Sequence, residues 1–216
     1  MSHIELSKNE ETELQAESLG EKIELIIQKM PPTEVTLIEI MDIVGADSLL
    51  LLTIFLSLIF LVPVSIPGVS TVFGSAVLLI GITRLFSRKL WLPEKIATRK
   101  LSAEKLREGF KKALVWFHRL EKVSKPHRLS GLTSKGLMTV LNNLSFILAA
   151  LLLMMPFGLI PFSNTLPAVA LIFLAIGMMQ QDGVSILLGN LSNIATIAYF
   201  GFLIAGGGWS ISQFIS

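Results

Sequence analysis

The sequence predicts an all-α, polytopic membrane protein: two proline-broken helical hairpins, a basic amphipathic segment between them, and a last spanning helix. Three observations carry this. Apolar residues make up 52% of the 216, and the mean hydropathy of +0.69 is too high for an ordinary soluble domain. Two long apolar runs are each interrupted by prolines and small polar residues, at 61–71 (LVPVSIPGVST) and 155–165 (MPFGLIPFSNT). Between the runs, residues 84–135 carry fifteen Lys and Arg against four Glu, although the net charge of the chain is only +2.

The two interruptions correspond. Moving the second back by 94 positions aligns Ile160 with Ile66, Pro161 with Pro67, Asn164 with Ser70, Thr165 with Thr71 and Ala170 with Ala76. That is the signature of an internal duplication, and corresponding broken segments point to a binding site in membrane transport folds. The expected organisation is an acidic extension over 1–45, a membrane domain over 46–206 and a tail over 207–216. Within the membrane domain the parts are a first repeat (46–90), basic linker helices (91–135), a second repeat (136–182) and a last helix (183–206).

Residues 1–47 hold eleven acids against three lysines, and residues 1–20 show no basic stretch followed by an apolar core, so no cleavable signal peptide is expected. Ser18 and Glu21 fit a capping box ahead of Ile23, Ile26, Ile27 and Met30, which fall on one helical face before Pro31 and Pro32 stop the helix. Thr36 and Glu39 repeat the device. These apolar faces need a cover. Acids are repelled by anionic lipid, so docking on the basic middle segment is the expected arrangement.

The first apolar arm, 49–62, is fourteen residues, about 21 Å at the helical rise against a hydrocarbon core of about 30 Å. Ser70 or Thr71 then caps a second arm ending near Arg84. Such short arms make the hairpin re-entrant, or fully spanning with its ends in the headgroup zone. The middle segment follows with Trp91 as an interfacial anchor and Ser102 as a helix cap. Its helix presents Leu106, Phe110, Ala113, Leu114, Phe117 and Leu120 on one face, flanked by Lys105, Arg107, Lys111, Lys112, Arg119 and Lys122, with Trp116 alongside. Excess Lys and Arg marks the cytoplasmic side, and a basic amphipathic helix suits anionic headgroups; nucleic acid is not expected as a partner. Trp91, Lys105, Lys111, Lys112, Trp116 and Arg119 are therefore the candidate lipid or partner surface. The second repeat runs from residue 137 to its break, resumes behind an Asn164 or Thr165 cap, and ends at 180–183 (QQDG). The last helix is expected to leave the membrane at the Gly206–Gly208 triplet and Trp209.

No Asp, Glu, Lys, Arg or His lies between Ser48 and Thr83 or between Gly136 and Gln181, which argues against a proton-driven pump and removes acid–base and nucleophile pairs. Cysteine is absent and three histidines are scattered, so neither a metal site nor a cofactor is expected, and no catalytic constellation is present. The breaks instead offer two helix N-termini suited to a phosphate head or a sugar. The candidate binding residues are Pro63, Pro67, Ser70, Thr71, Pro161, Asn164 and Thr165, with Pro156 and Ser163 beside them. In most proteins such hydroxyls simply cap their own helices.

Residues 63–74 (PVSIPGVSTVFG), 91–93 (WLP), Leu101-Ser102 and 161–168 (PFSNTLPA) together resemble the ExoD family of bacterial membrane proteins, over about residues 33–205. Phe86-Ser87 departs from the glycine expected before the basic cluster, and the acidic first 30 residues lie outside the expected family core. The resemblance implies a multi-pass protein of the bacterial inner membrane, with a role in exopolysaccharide synthesis and no established enzymatic activity. Two functions fit it. One is a transporter-like factor handling a lipid or polar solute at the paired breaks. The other is a non-catalytic structural or assembly partner of polysaccharide-export proteins.

Overall fold

The computed structural model describes residues 19–36, 39, 47–61, 68–86, 98, 100–125, 127–134, 136–155, 157 and 160–215, and they are mostly helical. The chain forms two units, Met1–Ser48 with Leu92–Pro126, and Leu49–Trp91 with His127–Ser216. The basic middle segment thus groups with the acidic N-terminal segment and not with the apolar helices beside it in sequence.

The first unit shows how that docking works. Helix α1 (Leu19–Lys29) buries Ile23 and Ile26, and Met30 just beyond it is buried as well, on the face that the periodicity predicts. Pro31 and Pro32 follow immediately, because proline cannot continue the hydrogen-bond ladder. Strand β1 (Glu34–Thr36) pairs antiparallel with β2 (Lys100–Ser102), Val35 opposite Leu101. Helix α4 (Ala103–Val123; the intervening α2, Ser48–Leu58, and α3, Val69–Leu85, are described with the second unit) packs on α1. Its Arg107 Nη2 donates to the carbonyls of Met30 (2.9 Å) and Pro31 (3.3 Å), acceptors that the end of α1 leaves open. Among the described residues, docking uses main-chain pairing, apolar contact and the Arg107 bonds to the end of α1.

Local capping follows the sequence. Thr36 N–H donates to Glu39 Oε2 (2.8 Å) while Glu39 N–H donates to Thr36 Oγ1 (3.3 Å), a reciprocal capping box, and Lys105 N–H donates to Ser102 Oγ (3.4 Å). The expected cap at Ser18 lies outside the described residues. Glu34 bridges Lys100 at 2.8 Å, and this hydrogen bond, reinforced by charge, raises the Lys100 pKa. The contribution is complete below the ordinary lysine value and disappears as pH climbs through the raised one, so neutral conditions leave it intact. It is small, since both side chains are mostly exposed.

The second unit holds α2 (Ser48–Leu58) with a 3-10 turn (Ile59–Leu61), α3 (Val69–Leu85), a 3-10 turn at Ser130–Thr133, α5 (Leu137–Leu153), α6 (Thr165–Gln180) and α7 (Gly183–Ile215). Helix α6 is its centre: most of its residues are buried, and it packs on both α5 and α7. A side chain at Gly74 would strike Met154, and one at Gly81 would come within 2.8 Å of Ile147. Rising numbers on α3 therefore meet falling numbers on α5, so the helices are antiparallel, at a separation that only glycine permits.

Polarity in this unit is inverted. Leu137, Leu144 and Leu151 on α5, and Leu191 and Ile194 on α7, are exposed, while Asn142, Asn143, Ser185, Asn193 and Thr196 are buried. By length and composition, Gly183–Gly206 is long and apolar enough to cross a membrane; Ser48–Leu61, Val69–Leu85, Leu137–Leu153 and Thr165–Gln180 are apolar but shorter.

Three expectations are corrected. Neither Ser70 nor Thr71 caps α3: the cap is Gly68, at φ +84° and without a side-chain bond. Thr165 is the first residue of α6 and does not cap it, and Asn164 holds the cap position without making the cap bond. Gly206–Gly208 does not end the last helix, which continues through Ile215 in place of a separate tail over 207–216. Glycine weakens a helix but needs a left-handed residue or a proline after it to stop one, and neither follows here.

Gly81→Leu overpacks the α3–α5 contact and is expected to cost about 1–3 kcal/mol. Gly109→Ala, in open space on α4, is expected to stabilise by about 0.5–1 kcal/mol. Thermal melts of the detergent-solubilised chain should move in opposite directions.

Candidate functional site at the paired helix breaks

The first break begins where α2 tightens into its 3-10 turn, which buries Phe60 against Phe73 in an edge contact (centroids 5.9 Å apart). Pro63 and Pro67 lie outside the described residues. Past Gly68, Ser70 is buried in the first turn of α3, and Thr71 is exposed. Ser75 Oγ donates to the Thr71 carbonyl (2.7 Å) and lies 3.9 Å from Met154 Sδ, at the end of α5.

The second break is more elaborate. After α5 the chain turns through Phe157, whose N–H donates to the Met155 carbonyl, and Ile160, whose N–H donates to that of Phe157, each at 2.8 Å. Ser163, 1% exposed, shares its hydroxyl hydrogen between the carbonyls of Phe157 (2.7 Å) and Ile160 (2.8 Å). Thr165 Oγ1 donates to the Phe60 carbonyl (2.9 Å), across 105 residues of sequence. Tyr199 on α7 donates its hydroxyl to the Pro161 carbonyl (2.8 Å), and the neighbouring Phe200 packs on Phe157 (4.7 Å).

The structure thus brings the two breaks together at one end of the second unit, Thr165 bonding the last turn of the first arm while Met154 meets Gly74 and Ser75. The hydroxyls of Ser163 and Thr165 serve main-chain carbonyls that a broken helix leaves open. Asn164 is 8% exposed, and Pro161 lies exposed on the turn. Sequence reasoning missed Phe60 as the partner of Thr165, since a backbone acceptor leaves no mark in side-chain pattern.

A second polar cluster occupies the opposite end of α5 and α6. Asp182, with no exposed side-chain surface, receives Arg128 Nη2 (2.7 Å) and Nε (3.2 Å), Ser185 Oγ (2.8 Å) and the Val184 amide (3.1 Å). Gly183 N–H donates to the Arg128 carbonyl (2.7 Å), and a Cβ on Gly183 would collide with the Leu129 carbonyl. Read from sequence, Asp182 is only a helix-end residue. Its signal was isolation, as it is the lone acid over residues 122–216 and so must find a cation when buried.

On α4, Lys105, Lys111 and Lys112 are exposed, whereas Trp91 and the side chains of Trp116 and Arg119 lie outside the described residues.

Arg128→Met strands a buried carboxylate and is expected to destabilise by about 3–5 kcal/mol, with Arg128→Met/Asp182→Leu recovering much of the loss. Melting temperatures of the two variants against the native chain check this.

Comparison with known proteins follows from these features. The family described as "Exopolysaccharide synthesis, ExoD" matches residues 19–202, so the match takes in α1 and begins well before residue 33. The chain is 39% identical over 200 residues to Protein ExoD of Rhizobium meliloti, covering 91% of this chain and 83% of that protein. It is 31% identical over 131 residues to an uncharacterized protein of Synechocystis sp., 60% of each chain. No solved structure matches. A match that runs through both units and both breaks establishes that the chain belongs to the ExoD family.

Proposed function

We propose that the protein is a multi-pass inner-membrane factor of exopolysaccharide synthesis or export, without enzymatic activity of its own, whose paired breaks engage a lipid or polar solute. Its membrane topology is supported by the inverted polarity of the second unit, since exposed leucines and buried asparagines are stable where the surrounding solvent is lipid. The short helices span with their ends in the headgroup zone. The basic middle segment, with Lys105, Lys111 and Lys112 exposed, faces the cytoplasm and its anionic headgroups.

The observation that carries the site is the exchange of contacts between the breaks. Displaced by 94 positions, Phe60 corresponds to Met154 and Thr71 to Thr165. Phe60 accepts from Thr165, and Met154 meets the turn carrying Thr71 and Ser75. Two duplicated hairpins related by an approximate two-fold axis along the membrane normal produce that reciprocity. Ser70, Thr71, Pro161, Asn164 and Thr165 would then surround one spot on the axis.

A second reading is favoured by the engagement of Ser163 and Thr165 within the fold, which leaves fewer groups for a ligand. In it the protein is an assembly partner of export proteins. The absence of cysteine makes the two separable. Thr71→Cys and Asn164→Cys are expected to react with a membrane-impermeant thiol reagent in cells or inside-out vesicles, while Ile54→Cys and Ile172→Cys stay unlabelled. Silence at both breaks from both sides moves the assignment to assembly partner. Thr165→Val leaves the Phe60 carbonyl without its donor and is expected to cost about 1–3 kcal/mol of stability and to lower exopolysaccharide output in a complemented deletion strain. If deleting the whole gene leaves output unchanged, the exopolysaccharide role itself falls.

A further inference from the structure

Not every buried polar group of the second unit is closed from within. Among its described residues, three buried side-chain oxygens have no hydrogen-bond partner: Ser57 Oγ on α2, Asn143 Oδ1 on α5 and Asn193 Oδ1 on α7. Both asparagines do use their nitrogens. Asn143 Nδ2 donates to the Thr139 carbonyl within α5 (2.9 Å), and Asn193 Nδ2 donates across to the Ser145 carbonyl of α5 (3.0 Å). Asparagine as glue between membrane helices accounts for the second bond but not for the open oxygen beside it. Asn193 is only 3% exposed, and hydrocarbon has no donor to offer. A buried acceptor of this kind calls for an external partner.

The Asn193 bond also fixes the register of two helices. Both α5 and α7 lead from the Asp182 cluster toward the second break, so they run parallel, with Ser145 level with Asn193. The same offset sets Asn142 beside Asn190 one turn nearer the cluster, and Leu152 beside Phe200 two turns nearer the break. The seam is therefore polar in the half toward the cluster and apolar in the half toward the breaks. Asn142 Nδ2 donates to the Leu132 carbonyl (2.8 Å), which ties the polar half to the turn carrying exposed Ser130 and Gly131.

We propose that the polar half of the α5–α7 seam is a hydrated vestibule, whose innermost water donates to Asn193 Oδ1, with the Ser145 hydroxyl and the Asn190 amide as further partners. It deepens the solute-handling function proposed above and rests on it for its role. The vestibule brings water, and hydroxylic solutes of comparable size, from the Asp182 end to about 9 Å below Tyr199 and the second break, six residues at the helical rise. Water fits the chemistry, since it donates to a lone acceptor, accepts in turn, and settles where about two to four polar groups converge. A cation fits less well. Asp182 is the only charged side chain after Lys135, and Arg128 already neutralises it, so an ion in the seam would have no counter-charge. Leu152 and Phe200, both buried, close the seam before the breaks.

The test uses the full-length chain in lipid nanodiscs, with water itself as the probe. X-ray radiolysis turns water into hydroxyl radicals where it lies, so a side chain inside the bilayer is oxidised only where water touches it. In the native chain, mass spectrometry should find oxidation over 190–197 of α7 and none over 171–176 of α6, a stretch buried in the bundle. Asn193→Leu puts an apolar group of similar size where the water is anchored, while the Ser145 carbonyl keeps its donor in the α5 ladder. This variant should melt close to the native chain and lose most of the oxidation over 190–197. Should it fail to fold, Asn193→Ser, which keeps an acceptor, must keep the oxidation. A native chain unoxidised over 190–197, equal oxidation of both stretches, undiminished oxidation in a folded Asn193→Leu chain, or its loss in Asn193→Ser overturns the proposal. With a dry seam but labelled Thr71→Cys and Asn164→Cys, the vestibule falls and the site at the breaks stands. With a wet seam and both breaks silent, the vestibule stands and the solute-handling function falls.

Discussion

The second unit depends on one constraint: the main-chain polar groups that a broken helix exposes must find partners inside the protein wherever water is excluded. Each one left open in hydrocarbon costs several kcal/mol. Ser163 closes two carbonyls of its own turn, Thr165 closes one at the end of α2, and Tyr199 closes one on Pro161. These four bonds involve α2, α6 and α7, so the breaks add fixed polar links to helices that already pack on one another through α6. The close glycine contacts between α3 and α5 complete the frame, and their register brings the two breaks to the same end.

Much of this was legible in the sequence, because much of it is periodicity and punctuation. The face of α1, the capping box at Thr36 and Glu39, the Ser102 cap and the approximate helix limits follow from local rules that tertiary contacts did not override. The helix starts at the breaks were misread. A serine or threonine before an apolar run normally caps it, but Gly68 had already turned the chain, and Thr165 had a better acceptor 105 residues away. Long-range bonds to backbone carbonyls leave no trace in residue type. The strained Phe162 is equally silent, since nothing in the identity of a phenylalanine announces a left-handed backbone.

The first unit teaches a different lesson about charge. Eleven acids in one segment and fifteen bases in another suggest electrostatic docking. Among the described residues the structure shows a short β-ribbon, an apolar helix face, an arginine bonded to a helix end and the mostly exposed Glu34–Lys100 pair. Exposed opposite charges gain little in water. What joins the described parts of this unit is chiefly the main chain and the apolar face of α1.

The cluster around Asp182 has a consequence for biogenesis. Arg128 leaves the ribosome 54 residues before its partner, and the Gly183 amide that binds its carbonyl comes one residue later still. The junction between the basic segment and α5 therefore cannot reach its final form while α5 and α6 are being synthesised. It closes only when the turn into α7 has emerged. Synthesis and tertiary closure are thereby ordered in time by this salt bridge, and α7 is the element whose arrival completes the bundle.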